Sequence, residues 1–160
     1  VGTANDIRME LPDLELAKRA MRELPKRVIE KGLKSAVTLG STPIVRAARR
    51  NVPQESGLLK KSITKKVKLY RASETAAAIV GADTKDVGEY RGNLRKPSKY
   101  IAIVEGGARP HVYKTRKGQH PGFEGKHFLR QAEESEKDRA LTIAQNRLIE
   151  VIENEAEKLR

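Results

Sequence analysis

The sequence predicts an α+β fold with a long N-terminal helix, an antiparallel sheet with long loops, a short central helix and a long C-terminal helix. Three observations predict it. Apolar residues recur at three-and-four spacing near both ends of the chain, the period of a helix with one buried face. Between them, Ile63, Val67 and Leu69 share alternate positions, the period of a half-buried strand. The next apolar run, "ETAAAIVGA", follows after a short turn with no crossover helix, so the two strands pair antiparallel. The 160 residues suit one domain. Residues 1–12 show no periodicity and are expected to form a flexible N-terminal arm. Residues 13–160 are expected to form a single α+β domain with an extended C-terminal helix.

Each element has its own signal. Asp13 can cap a helix whose face is Leu14, Ala17, Met21 and Leu24, and Pro25 interrupts or restarts it. Beyond it, Ile29, Leu33, Ala36, Val37, Gly40, Ile44, Ala47 and Ala48 keep helical spacing. "GSTP" at residues 40–43 is expected to kink this helix, or to end it and start another turn. Val52 precedes Pro53 and avoids the helical region, which ends the helix near Asn51. Ser56 reads as the N-cap of one short turn, "GLLKKS", with Leu59 and Ile63 on its buried side. The strands follow, with "YRASE" as the hairpin turn. Residues 83–99 are polar and Gly-rich and read as one long loop, a length that is often functional. "YIAIVEGGARPH" is apolar until Gly106 and Gly107, which act as a left-handed helix stop. "VYKTRKGQHPGFEGKHF" reads as a second loop region with room for a ribbon. A helix then runs from His127 to the end, and its polar stretch "EESEKDR" is expected to be solvated or interfacial.

Composition narrows the function. The net charge is +12 and is unevenly spread. Residues 46–71 hold nine Lys/Arg against one acid, and residues 91–130 hold ten against two. The last thirty residues hold five bases against eight acids. A basic middle attracts nucleic acid or an acidic protein surface, and an acidic last helix lets copies of the chain attract one another head to tail. No apolar run approaches the roughly 20 residues of a membrane helix, and no signal-peptide pattern is present. With no Cys, disulfides and thiolate metal sites are excluded, which fits synthesis in a cytoplasm.

Catalytic chemistry has little support in the sequence. His111, His120 and His127 lie in one glycine-rich stretch at spacings that match no common zinc pattern. Ser62 and His111 lack any nucleophile elbow. The phosphate-binding glycine patterns are absent, and aromatic platforms for nucleic acid are scarce. Glu105 stands alone in a basic neighbourhood. It reads as the ion-pair partner of a nearby Arg or Lys in preference to a general base. The lysines of the first strand serve equally as contacts or as protection of a sheet edge.

Three phrases, "ARRNVPQESGLLKKSI", "YIAIVEGGARPH" and "GKHFLRQAEE", in this order and at these distances resemble the tail-completion, or head–tail joining (neck), proteins of long-tailed bacteriophages, lambdoid-type minor tail proteins. The resemblance spans roughly residues 26–150. Pro53, Gly57, Leu59, Ser62 and Ile63 match the first phrase. Tyr100, Ala102, Val104, Glu105 and Gly107, with Gly106 beside it, match the second. Phe128, Leu129 and Ala132 match the third. The resemblance implies a structural virion protein, assembled in the host cytoplasm, that forms a ring at the neck. Its partners would be further copies of itself, six by analogy with tail symmetry, with the tail tube or its terminator and the head–tail connector or portal. DNA would pass through the ring without sequence-specific binding. No enzyme activity, cofactor, metal or membrane is implied. In this reading Pro53 and Gly57 set the angle between helix and sheet, and that angle decides whether the ring closes. The two loops supply partner surfaces through Tyr90, Arg91, Arg95, Lys96, Arg109, His111, Lys114 and Arg116. Two departures stand out: His127 replaces the usual proline before the Phe, and the loop at 83–99 is long. The rival readings are a basic nucleic-acid-binding protein and a hydrolase using Glu105 and the histidines.

Overall fold

A computed structural model describes residues 25–72, 75–112 and 117–158. The expected arm and the helix beginning at Asp13 lie outside the described residues. Helix α1, Lys26–Asn51, begins directly after Pro25, whose carbonyl accepts bonds from the N–H groups of Val28 and Ile29 at 2.8 and 3.4 Å. Arg49 and Arg50 occupy its last turn, where positive charge offsets the exposed carbonyl ends of the helix. It stops at Val52, which is extended at φ −64°, ψ 135°, as a residue before proline must be.

α1 does not end at "GSTP" but runs on through Pro43 as one helix. An interior proline costs about 3 kcal/mol, so packing must outweigh it. The long last helix, α4 (Phe128–Glu157), lies antiparallel along α1. Gly40 faces Ala140 and Ala144, while Gly32 faces Leu148 and Val151. Arg147 Nε donates to Ser35 Oγ at 2.9 Å, and Arg50 bridges to Glu136 at 3.1 Å. That last contact ties the polar stretch of α4 to α1 while leaving most of its side chains in water. Within α1, Ser41 and Thr42 hydroxyls donate to the carbonyls of Val37 and Thr38 at 2.7 and 3.1 Å.

On another side of α1 lies the β1–β2 hairpin, Ile63–Tyr70 paired with Thr75–Ala82 in the register Ile63↔Ala82 to Tyr70↔Thr75. Opposed residues share a face. Ile63, Lys65, Val67 and Leu69 therefore point to α1 together with Ala76, Ala78, Val80 and Ala82. Lys65 is the polar member of this inner face. Its ammonium donates to the Thr38 carbonyl and, at 2.6 Å, to Thr42 Oγ1. Burial first, and then the Arg46 charge, lower its pKa. Arg49 grips the Ile63 carbonyl with Nε and Nη2 at 3.0 and 2.7 Å, which fixes the hairpin against the end of α1.

The turn between α1 and β1 holds the short helix α2, Leu58–Ser62. Its N-cap is Gly57, not Ser56; the Ser56 hydroxyl accepts instead from the Leu58 N–H at 3.4 Å. The expected long loop at 83–99 is also corrected. It contains a tight hairpin, β3 (Gly88–Tyr90) and β4 (Asn93–Arg95), followed by the start of α3 (Pro97–Gly106). Arg91 and Gly92 both have positive φ, 52° and 73°, as a two-residue hairpin turn requires. Pro97 occupies the first turn of α3, where its missing N–H has no helical partner to lose. The second loop region is a ribbon. Strands β5 (Gly107–Ala108) and β8 (Phe123–Glu124) pair, as do β6 (His111–Val112) and β7 (Gln119–His120). Both ladders share one register, so they form one arm. At the gap between them that register opposes Pro110 to Pro121, two residues with no N–H to donate.

Among the described residues the antiparallel sheet is thus four separate two-stranded ladders. Two buried clusters run along α1. One joins Ile29, Ala36, Ala144 and Leu148, and the larger joins Ile44, Ala48, Ile63, Val80 and Phe128 with their neighbours. Among the described residues, no helix is long and apolar enough to cross a membrane.

Gly40→Ala separates packing from propensity. A Cβ at Gly40 would lie 2.7 Å from the Ala140 carbonyl and 2.8 Å from the Ala144 Cβ. We expect a loss of roughly 1–3 kcal/mol in urea denaturation, against the gain of about 1 kcal/mol that helix propensity alone would bring. Gly106→Ala, at a helical position with nothing within 4 Å, should be neutral or mildly stabilising.

Candidate functional site

The three motif phrases lie far apart in sequence and meet in space. Leu59, Ile63, Phe128 and Ala132 are all buried in the larger cluster, with Tyr100, Ile101, Val104 and Leu129 packed against it. Phe128 and Ile63 are fully buried. Ser62 is buried too. Its hydroxyl donates to the Leu59 carbonyl at 2.8 Å, and its own carbonyl accepts from the Asp83 N–H at 2.8 Å. These residues form a junction where the end of α1, the root of the hairpin, α3 and the start of α4 are locked together. Of the two remaining members of the first phrase, Pro53 is exposed. Gly57 has φ 71°, and a Cβ added to it would meet nothing within 4 Å. The need for glycine at 57 is therefore conformational, with no shortage of space.

Glu105 holds the junction together in a way not expected from the basic residues around it. Its side chain is buried, and its two carboxylate oxygens accept from the backbone N–H groups of Leu129 at 2.9 Å and Arg130 at 3.1 Å. These are first-turn amides of α4, left without helical acceptors. A carboxylate there satisfies them and complements the positive end of the helix. The expected ion pair with Arg or Lys is replaced by this cap, supplied from α3. The backbone reinforces it: Lys126 N–H donates to the Val104 carbonyl at 2.9 Å and His127 N–H to the Glu105 carbonyl at 3.1 Å. His127 has φ 48°. Proline would hold φ near −65° and offer no N–H, so the departure at 127 is matched by a different entry into the helix.

Two glycines permit this crossing. Gly107 has φ 78°, and a Cβ there would lie 2.5 Å from the Phe123 carbonyl; one at Gly125 would lie 2.2 Å from the Glu105 carbonyl. Gly106 is the last residue of α3, and the helix ends on Gly107 at φ 78° and ψ −173°, an extended glycine conformation in place of the expected left-handed stop.

Beside the junction is a cleft of about 360 Å³ between the turn at 53–59, the β3–β4 hairpin and α3. Tyr90 Oη donates to Glu55 Oε1 at 2.9 Å, and Arg91 lies over the Tyr90 ring at 5.0 Å. Arg95 and Tyr100 line the same cleft. Burial raises the Tyr100 pKa, Arg95 opposes that rise and Glu55 adds to it. Gly88 leaves room for Leu58, which would lie 2.2 Å from a Cβ at that position. Of the predicted loop residues, Tyr90, Arg91 and Arg95 gather here, and Lys96 is exposed nearby. Arg109 and His111 are exposed on the arm, and Lys114 and Arg116 lie outside the described residues. Sequence reasoning missed the Glu55–Tyr90 and Arg49–Ile63 bonds, for which no local pattern exists.

Among the described residues the arrangement offers no assembled catalytic set. His111 and His120 are a stacked cross-strand pair, 4.9 Å between ring centres. The Nδ1 of His111 is bonded to the Arg109 carbonyl, and that of His120 accepts from the Gly122 N–H. Both Glu105 oxygens are engaged by amides and the Ser62 hydroxyl by a carbonyl. Among the described residues no group of three or more His, Cys, Asp or Glu is placed to hold a metal ion.

Residues 15–107, more than half the chain, match the family model HK97-gp10-like, described as "Bacteriophage HK97-gp10, putative tail-component". The match includes the first motif phrase and the second as far as Gly107, and stops before the third. Neither curated proteins nor solved structures give a match.

Substitutions at Glu105 and Gly57 test the junction. Glu105→Ala should cost about 2–3 kcal/mol by removing two charge-assisted bonds, and Glu105→Gln about 1 kcal/mol. Urea midpoints should show these losses with little change between low and high salt, because the site is buried; loss of the effect at high salt would favour an exposed ion pair. Gly57→Val should cost roughly 1–3 kcal/mol through strain at positive φ, Gly57→Asn far less, and Lys60→Ala almost nothing.

Proposed function

The chain belongs to the HK97-gp10-like family of bacteriophage tail components, and from that premise we propose that it forms a ring at the head–tail junction, completing the tail and joining it to the capsid connector. A tail component acts through shape and contact. The observation that carries the finer reading is the junction itself. The turn at Pro53 and Gly57, helix α3 and the capped start of α4 are locked into one buried cluster. That cluster sets the angle between the α1–α4 pair and the hairpin, and a ring closes only when the angle between successive copies is held constant. Around it the protein presents projections suited to neighbours: the β3–β4 hairpin, with Leu94 79% exposed, and the β5–β8 arm, with Val112 65% exposed.

Six copies are proposed, by analogy with tail symmetry. The second reading, a basic nucleic-acid-binding protein, draws on the +12 charge and requires a duplex affinity that falls steeply with salt.

Particle averaging of assembled tails should find six copies at the neck, and native mass spectrometry of extracted complexes should give the same number. A monomer in mature virions, or copies distributed along the tail tube, would overturn the proposal.

A further inference from the structure

Resting on the ring reading, we propose that the outward face of the β1–β2 hairpin of one copy docks on the solvent face of the second half of α4 in the next copy, and that this head-to-tail contact links the protein into its assembly.

The basic face follows from the register. Lys66 and Lys68 point away from α1, opposite Ile79 and Ala77 on β2. Both lysines are exposed, and Ile79 and Ala77 are half-buried. A side chain at Gly81, on the same face, would meet nothing within 4 Å. The paired strands contain no acid. This face is a shallow apolar strip formed by Ala77, Ile79 and Gly81, with two cations, Lys66 and Lys68, along its border.

The acidic face is its counterpart. In α4, Ile149 is 51% exposed, and Asn146, Glu150, Glu153 and Glu157 are exposed around it. From residue 142 to 157 the only base is Arg147. It is engaged with Ser35 and with Glu150, at 2.9 and 2.7 Å. The exposed half of Ile149 gains nothing from its own copy. Placed on the Ala77–Ile79 strip, it would lose apolar surface to water while the acids meet Lys66 and Lys68.

The two faces cannot satisfy each other within one copy. Helix α4 packs on α1 through Gly32 and Gly40. The hairpin packs on another side, through Thr38, Thr42 and Arg49. Complementary faces on separate sides of one subunit make a heterologous contact, which propagates from copy to copy and closes or extends according to its rotation. A second copy is therefore the occupant that the charge pattern selects.

A charge exchange tests this in the full chain. One variant carries Lys66→Glu with Lys68→Glu, so that both its faces are acidic. The other carries Glu153→Lys with Glu157→Lys, which turns the helix face basic. All four positions are exposed, and circular dichroism should confirm wild-type folding. In sedimentation at low salt each variant alone should associate at least tenfold more weakly than wild type. An equimolar mixture should recover association, because each hairpin then meets an oppositely charged helix. Wild-type association by either variant alone, or a mixture that stays dissociated, overturns the contact. If these variants associate normally in a ring-forming wild type, the ring reading survives while this interface falls. If the wild type is monomeric both in solution and in assembled tails, both fall. Loss of DNA retention with unchanged self-association would assign the lysines to nucleic acid and overturn the proposal. The chain has no Cys, so Ile79→Cys with Ile149→Cys gives an independent check. Oxidation should yield a ladder of multimers, and products ending at the dimer would exclude a head-to-tail contact.

Discussion

The close antiparallel contact of α1 and α4 is the constraint on which the rest of the molecule depends. It rests on the absence of side chains at Gly32 and Gly40 and on the small methyls of Ala36, Ala140 and Ala144. Helices that approach this closely lose the freedom to bend independently. That explains how α1 carries Pro43 and the adjacent Ser41–Thr42 pair without ending. The cost of the proline is local and fixed, whereas the contact extends along most of α1.

Glu105 does for the start of α4 what the glycines do for its length. A helix so close to α1 must begin at a defined place, yet its own sequence supplies no capping side chain at His127. The carboxylate arrives from α3, twenty-odd residues earlier, and reaches the first-turn amides because Gly107 and Gly125 let two backbones cross. The same crossing fixes the root of the β-arm. One buried carboxylate therefore positions a long helix, a projecting ribbon and the wall of the cleft lined by Tyr100 and Val104.

Several of the motif residues that carry the resemblance to tail proteins are interior. Leu59, Ser62, Ile63, Phe128 and Ala132 are all buried. They maintain a frame. In the proposed assembly, the contacts with neighbours would fall to residues outside the motifs: the lysines of β1, the acids of α4, the arginines of the cleft and the exposed apolar residues of the two projections.

Much of this was legible in the sequence. Period located α1, α4 and β1, because helical and strand periodicity follow from backbone geometry and need no partner, while β2 was read from an apolar run after a short turn. The end of α1 at Asn51 was legible because a residue before proline is excluded from the helical region by local sterics. The β3–β4 hairpin was not, since its turn uses Arg91 at positive φ and a local pattern gives no reason to place an arginine there. The role of Glu105 was equally hidden. Its basic neighbours in the chain pointed to an ion pair, but its partners are backbone amides, which carry no sequence signature. Composition by itself determined the charge asymmetry and the lack of thiol chemistry. The continuity of α1 through Pro43, the cap on α4 and the meeting of the three motif phrases were decided only by tertiary packing, because each depends on groups brought together by a chain reversal whose angle no local pattern encodes.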